Sequence, residues 1–254
     1  QAHSVGYGLI SYQTAFMKAN YPAEFMAAQI SSEIGNFDKL PGFVVEASDM
    51  GMPILRPDVN RSSPRFTPEG DGVRFGLAGI KNVGEGAAEA IVREREANGA
   101  FKGLLDFCSR IDAQFVNKRV LEALVRCGAM DGFGQHRARL FAAIDFALAR
   151  AQERQRERLS GQQNLFETFN VALEGGNGGD DGELPDCPPW PTRDCLAAEK
   201  ELLGVYLSGN PLDRYRNLMQ ALSTYSLAQA AAYNRDETLH VRLCGLATAV
   251  QRRI

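Results

Sequence analysis

"GIKNVGEGAAEAI", Gly79 to Ile91, sets two glycines one residue apart directly before a run whose alanine and isoleucine spacing suits a helix. Such glycines serve a nucleotide-binding loop, a grip on nucleic-acid backbone, or an ordinary tight turn. A phosphate loop of the P-loop type requires a lysine and a hydroxyl residue after the glycines, but Gly86 is followed by Ala87, Ala88 and Glu89. A dinucleotide fingerprint requires a third glycine where Glu89 stands. Both nucleotide readings fail on chemistry.

A helix-hairpin-helix accommodates the stretch. Val83 is the buried apolar residue, Gly84 and Gly86 stand where backbone turns and approaches a ligand, and Ala90 and Ile91 pack the second helix. Backbone N–H groups at that helix start, from Glu85 to Ala87, then point outward and hold a DNA phosphate without reading sequence. Lys81 and Asn82 stand beside them. A helix-loop-helix whose glycines serve only the turn fits equally well. The nearby "NKRVLEALVR" favours DNA, because Lys118 and Arg119 at a helix start oppose the helix dipole unless an anion comes near. A solvated face is the other reading of that pair.

Outward from the hairpin, the pattern is mainly α. Leu9, Tyr12 and Phe16 return at helical spacing and Pro22 opens a new helix. Phe43, Val44, Ala47 and Met50 fit a short amphipathic helix stopped by Gly51. Residues 52 to 80, rich in proline and turn formers, read as loop and short strands, with a domain boundary near Asp58 to Ser63. Helical pattern then covers Gly86 to Glu96, "FKGLLDFCSRI", and a segment with Val120, Leu121, Leu124 and Val125 on one face, capped by Gly128. A helix from Arg137 to Leu159 begins apolar and becomes a charged rod. Glu167 to Asp186, with six acidic side chains and no basic one, reads as a flexible acidic linker. Helices follow from Cys195 to Leu207, stopped by Gly209 to Pro211, and from Ser226 to Tyr233. Leu239, Val241 and Leu243 alternate with polar neighbours as in a half-buried strand.

Composition narrows the classes. Apolar content of 44% and charged content of 23% are those of a soluble globular chain, and 254 residues allow two or three small domains. No apolar run approaches a membrane span. Five cysteines without a C-x-x-C pair predict free thiols in a reducing cytoplasm, and three scattered histidines offer no metal-ligand spacing. A net charge of −3 leaves any nucleic-acid binding to local geometry. The start of the chain has neither a leader pattern nor an initiator methionine, and reads as the middle of something larger.

Two other stretches suggest function. In "GQQNLFETF", Leu165 and Phe166 lie at the edge of the acidic linker, and Gln162 precedes them by the spacing of the pentapeptide that enters a sliding-clamp pocket. The same pair could instead tuck back onto its own domain. In "HSVGYGLISYQ", His3, Ser4 and Tyr7 either reach a triphosphate or simply cap and pack a helix, the latter being the simpler reading. Asp180 and Asp181, within the glycine-rich linker, lack the context of a two-metal site.

Taken in order, "HSVGYGLISYQTAFMKANYPAEFMAA", "ILRPDVNRS", "FGLAGIKNVGEGAAEAIVRERE", "NKRVLEALVRCGAMDGFGQHRARL", "GQQNLF" and "PWPTRDCLAAEKELLGVYLSGNPLDRY" resemble the C-terminal half of the bacterial replicative polymerase family, the C-family DNA polymerase III alpha subunits. The resemblance covers essentially the whole chain. It implies the end of a fingers domain over 1–60, a helix-hairpin-helix module over 61–160, a clamp-binding motif and linker over 161–190, a helical connector over 191–236, and the first strands of an OB-fold β-barrel over 237–254. It further implies primer-template DNA, the beta sliding clamp and other holoenzyme subunits as partners. The clamp motif would comprise Gln162, Gln163, Asn164, Leu165 and Phe166, and incoming nucleotide would meet the fingers. The family's palm aspartates, which hold Mg²⁺ in the whole polymerase, have no counterpart here, so no cofactor is expected and this stretch should not polymerise alone. Two departures stand out: Asn210 replaces the histidine of "SGHP", and Gln163 and Asn164 replace small or acidic residues inside the clamp motif. The competing reading is a self-standing helical interaction module without DNA affinity.

Overall fold

Pro22 separates two helices, α1 (Ala2–Asn20) and α2 (Pro22–Ser32), and sits in the first turn of the second, where a missing N–H goes unnoticed. The computed structural model describes residues 2–160, 184–233 and 240–246. Its chain divides into two compact units, 1–207 and 208–254.

In the first unit, α3 (Leu40–Asp49) buries Leu40, Val44 and Ala47. Met50, expected on the same face, is exposed because the helix has already ended. Three short strands follow: β1 (Ile54–Leu55), β2 (Thr67–Glu69) and β3 (Gly72–Arg74). β3 is central, parallel to β1 and antiparallel to β2. The Arg74 guanidinium forks onto Glu69 at 2.6 and 2.7 Å and reaches the Arg56 carbonyl at 2.7 Å, fastening all three strands.

Packing does not break at Asp58 to Ser63, where proline and turn residues suggested a boundary. Ser62 is fully buried and its Oγ accepts the Asp58 N–H at 3.0 Å. Asn60 exchanges hydrogen bonds with the Phe101 backbone at 2.7 and 2.8 Å, and Arg95 donates to the carbonyls of Val59 and Ser62. Turn-forming residues close on themselves here through side chains, which lets a loop be buried with its polar groups satisfied.

Beyond the sheet come a 3₁₀ turn (Leu77–Gly79), α4 (Glu85–Asn98), α5 (Leu104–Arg110), α6 (Lys118–Arg126), α7 (Arg137–Ala142) and α8 (Ile144–Ser160). Val120, Leu121, Leu124 and Val125 are all buried, as their spacing requires. Asn117 caps α6 by accepting the Val120 N–H at 3.1 Å. Gly128 follows with φ of +85°, and a Cβ there would strike the Arg137 guanidinium. The helix expected over Arg137 to Leu159 is two helices meeting at Ala143.

Arg110 closes the α4–α5 connection by pairing with Glu94 and Asp106 and lying 4.4 Å from the Phe101 ring. Buried residues from Met26 to Val205 form one hydrophobic cluster spanning α2, α3, the sheet and α4 to α8.

The acidic stretch expected to be flexible lies outside the described residues except at its end. There Leu184 is buried and its carbonyl accepts from Arg139, while Trp190 packs on Phe141 with ring centroids 5.3 Å apart. The next helix, α9 (Thr192–Leu203), starts and stops earlier than the expected Cys195 to Leu207, because Gly204 takes the left-handed conformation, φ +76°, ahead of the Gly209 to Pro211 stop. Glu199, fully buried, receives the Arg137 guanidinium at 2.9 Å and the Leu207 N–H at 3.1 Å.

α1 departs from its expected role. Leu9, Tyr12 and Phe16 recur at helical spacing, yet they are exposed, as are Val5, Ile10 and Met17. A helix apolar around its circumference is the pattern of one that packs on several sides; among the described residues none of α1 joins the hydrophobic cluster, and near its C-terminal end Lys18 pairs with Glu46 of α3.

In the second unit, a 3₁₀ turn (Asp213–Tyr215) leads into α10 (Arg216–Leu222), which periodicity had not suggested, and α11 (Leu227–Ala231) starts at a capping box between Ser226 and Gln229. The Asn210 N–H and then Arg216 hold the Asp213 carboxyl below the usual carboxylate range. The strand expected from Leu239 onward is absent over 240–246, the described part of it. That segment is irregular and joined to Thr224 through the Arg242 backbone, at 3.0 and 3.1 Å. Paired to one residue rather than to a neighbouring strand, it forms no ladder.

Candidate nucleic-acid interface

The hairpin is built differently from its expected form. Its first arm is the single 3₁₀ turn Leu77–Gly79, and the chain reverses at Asn82, whose φ of +72° is the only positive value of a non-glycine residue among the described residues. Asparagine tolerates this conformation better than most residues. Gly84 (φ −73°, ψ 164°) adopts ordinary extended backbone as the N-cap of α4, and Gly86 lies in the first turn of the helix. Neither takes a positive φ, and a Cβ at either would meet nothing within 4 Å. Their expected duty in the turn therefore passes to Asn82; Gly84 serves as a favourable N-cap, while no conformational or packing demand among the described residues explains Gly86.

Val83 is buried at 3% exposure, and Ala87, Ala88, Ala90 and Ile91 are buried behind it, so one side of the hairpin is fixed in the core. Lys81, Asn82, Gly84, Glu85 and Gly86 are exposed on the other. The first intrahelical hydrogen bond of α4 runs from Ala88 N–H to Gly84 O at 3.1 Å. The amides of Glu85, Gly86 and Ala87 precede it, and Gly84 offers no side chain to cap them. Bare amides at the positive end of a helix dipole are suited to an anion, and the missing Cβ atoms let one approach.

The Lys81 N–H donates to the Leu202 carbonyl at 2.9 Å, so the last turn of α9 braces the hairpin from behind. α9 is held by the Arg137–Glu199 contact and by Arg126 on Glu201, 2.6 Å. Arg137 also forks onto Asp131 at 2.8 and 2.9 Å. Burial lowers the Arg137 pKa, but its bonds to Asp131 and then Glu199 outweigh this and raise it overall, so the guanidinium stays charged inside the protein. No sequence motif hinted at this brace, because more than a hundred residues separate Lys81 from Leu202.

Lys118 and Arg119, expected beside the hairpin, begin α6, whereas the end of α6 that meets α9 is Arg126. They stand about 10–12 Å further along the helix, at a rise of about 1.5 Å per residue. Lys118 is also engaged with Asp145 at 2.6 Å, and that hydrogen bond raises its pKa. Ser4 and Tyr7 are exposed in the first turns of α1, which also contains His3. Gln162, Gln163, Asn164, Leu165 and Phe166 lie outside the described residues.

Beside the hairpin opens a cleft of about 780 Å³, lined by Ser31, Ser32, Gly35 and Arg65 across from Asn82, Gly84 and Glu85. Arg65 was not singled out from sequence, since it lies in no motif and twenty residues before Glu85.

The mainly helical chain carries a helix-hairpin-helix motif, whose model matches residues 51–140, from just before the sheet into α7. Similarity extends well beyond that segment. The chain is 40% identical over 242 residues to the DNA polymerase III subunit alpha of Vibrio cholerae, covering 95% of this chain and 20% of that protein. It is 44% identical over 223 residues to that of Thermus aquaticus, 88% and 17%, and 40% identical over 216 residues to that of Escherichia coli, 85% and 18%. The chain belongs to the family of bacterial DNA polymerase III alpha subunits and spans about a fifth of the length of these relatives.

Proposed function

We propose that this chain supplies the backbone grip on primer-template DNA within a DNA polymerase III alpha subunit, through the amides of Glu85, Gly86 and Ala87 together with Lys81 and Asn82. The observation that carries this reading is the pair Gly84 and Gly86: ordinary backbone and open space where each Cβ would stand, at an uncapped helix start. Glycine inside a helix costs stability relative to alanine, so Gly86, without an internal purpose, is best accounted for by something that approaches from outside, while Gly84 is a favourable N-cap that leaves the same approach open. Contacts of amides to phosphate carry no sequence information, which is what a replicative enzyme requires.

The finer assignments follow from the family. His3, Ser4 and Tyr7 at the end of a fingers domain would face incoming nucleotide, Gln162 to Phe166 would tether the enzyme to its sliding clamp, and the residues after Leu239 would begin an OB fold near single-stranded template. The role proposed for this chain is binding.

The test is titration of fluorescent primer-template duplex with the chain at two salt concentrations. A phosphate grip weakens linearly in log–log terms as salt rises and is indifferent to sequence. Absence of binding at low salt overturns the reading. A parallel pull-down on purified clamp, with Leu165→Ala and Phe166→Ala together, tests the tether; retention undiminished by the double substitution rules it out.

A further inference from the structure

Glu85 poses an electrostatic problem for a phosphate grip. Its carboxylate stands in the first turn of α4, where the helix dipole favours an anion, and so competes for the position a phosphate would take. Glu89 is exposed one turn further on. Lys81 alone is outnumbered by these two carboxylates, so the hairpin by itself repels DNA at longer range than its amides attract it.

We propose that Arg65 is the cation of this grip: its guanidinium neutralises Glu85 and binds the duplex phosphodiester that the first-turn amides of α4 hold. The proposal rests on the hairpin being a DNA grip and identifies the side chain that makes it attractive. Arg65 Nη2 lies 3.2 Å from Glu85 Oε1, and both side chains are largely exposed, at 70% and 58%. Both line one open cleft with Asn82 and Gly84. Contact with one carboxylate oxygen uses a single member of a planar fork of five donors, which leaves the rest to engage a phosphate at the same time. The backbone under Arg65 is fixed while its side chain is largely exposed: the adjacent Phe66 N–H is held by Ser31 Oγ at 3.1 Å, and the Ala78 N–H by the Pro64 carbonyl at 2.9 Å. A guanidinium on an anchored stem, beside uncapped amides, is placed to close on a strand lying in the cleft.

The experiment measures binding of the chain to a fluorescent primer-template duplex over a salt series, for the natural sequence, Arg65→Ala, Arg65→Lys and Glu85→Gln, with melting temperatures alongside. Arg65→Ala is expected to reduce the slope of log K against log[salt] by about 0.9, one phosphate contact, and to weaken binding roughly tenfold near 0.1 M salt. Arg65→Lys should keep the slope and lose part of the affinity, because charge survives and the fork does not. Glu85→Gln should bind more tightly. An Arg65→Ala variant with the natural slope and affinity overturns this proposal while leaving the hairpin grip intact. Salt-independent binding, or none, by the natural sequence overturns both.

Discussion

Gly86→Ala separates a structural glycine from a functional one, because the two readings differ in the sign of the stability change. Gly86 lies in the first turn of α4 with nothing within 4 Å of the position a Cβ would occupy, so a methyl group creates no clash. Alanine then removes conformational freedom from the unfolded chain and stabilises the helix, by about 0.5 kcal/mol since the site is near the helix end. For a unit of this size that corresponds to a rise in melting temperature of roughly 1–2 °C. The same methyl would stand where a phosphate approaches the amides of Glu85 to Ala87. Losing one charge-assisted hydrogen bond, worth about 1.5–3 kcal/mol, weakens DNA binding roughly ten- to hundredfold. Gly84 is the less decisive site, because alanine is a poorer N-cap than glycine and costs helix stability by itself. The assay is thermal unfolding by circular dichroism beside fluorescence anisotropy with duplex DNA. A more stable variant with unchanged affinity refutes the phosphate contact; a destabilised one refutes the claim that Gly86 has no internal role.

Three further outcomes follow from the interior. Glu199→Ala leaves the buried Arg137 with Asp131 and the Arg126 carbonyl and removes the acceptor of the Leu207 N–H, so chemical denaturation should show a loss of about 3 kcal/mol, the lower end for a broken buried pair. The Arg74 hydrogen bond holds the Glu69 carboxyl below its usual pKa, so its contribution to stability is full above the ordinary carboxylate range. That contribution is lost as pH falls through the lowered value, and Glu69→Gln should flatten this acid limb of a stability–pH curve. Burial pushes the thiols of Cys108 and Cys127 up to about 12, so at pH 8 a maleimide should spare both in the folded protein and label them in denaturant; rapid labelling of either without denaturant would contradict the packing.

Local chemistry was legible without coordinates where neighbours in sequence are neighbours in space. Pro22 starting a helix, Gly128 ending one, the buried face of Val120 to Val125 and the Ser226 helix all follow from spacing, caps and backbone freedom. The hairpin was recognisable for the same reason, since Val83 to Ile91 hold both its buried and its open side.

The sequence by itself determined that the chain is mainly helical and carries "VGEGAAEAI" at a helix start, because helix periodicity and capping are properties of a few adjacent residues. Tertiary structure alone decided how that start is used. Asn82 rather than glycine makes the turn, Leu202 braces it from α9, Arg65 stands across the cleft from it, and the loop at Asp58 to Ser63 joins where it seemed to divide. The last three join residues distant in the chain through a hydrogen bond, an ion pair or shared burial, and no local pattern specifies which distant partner a polar group will find.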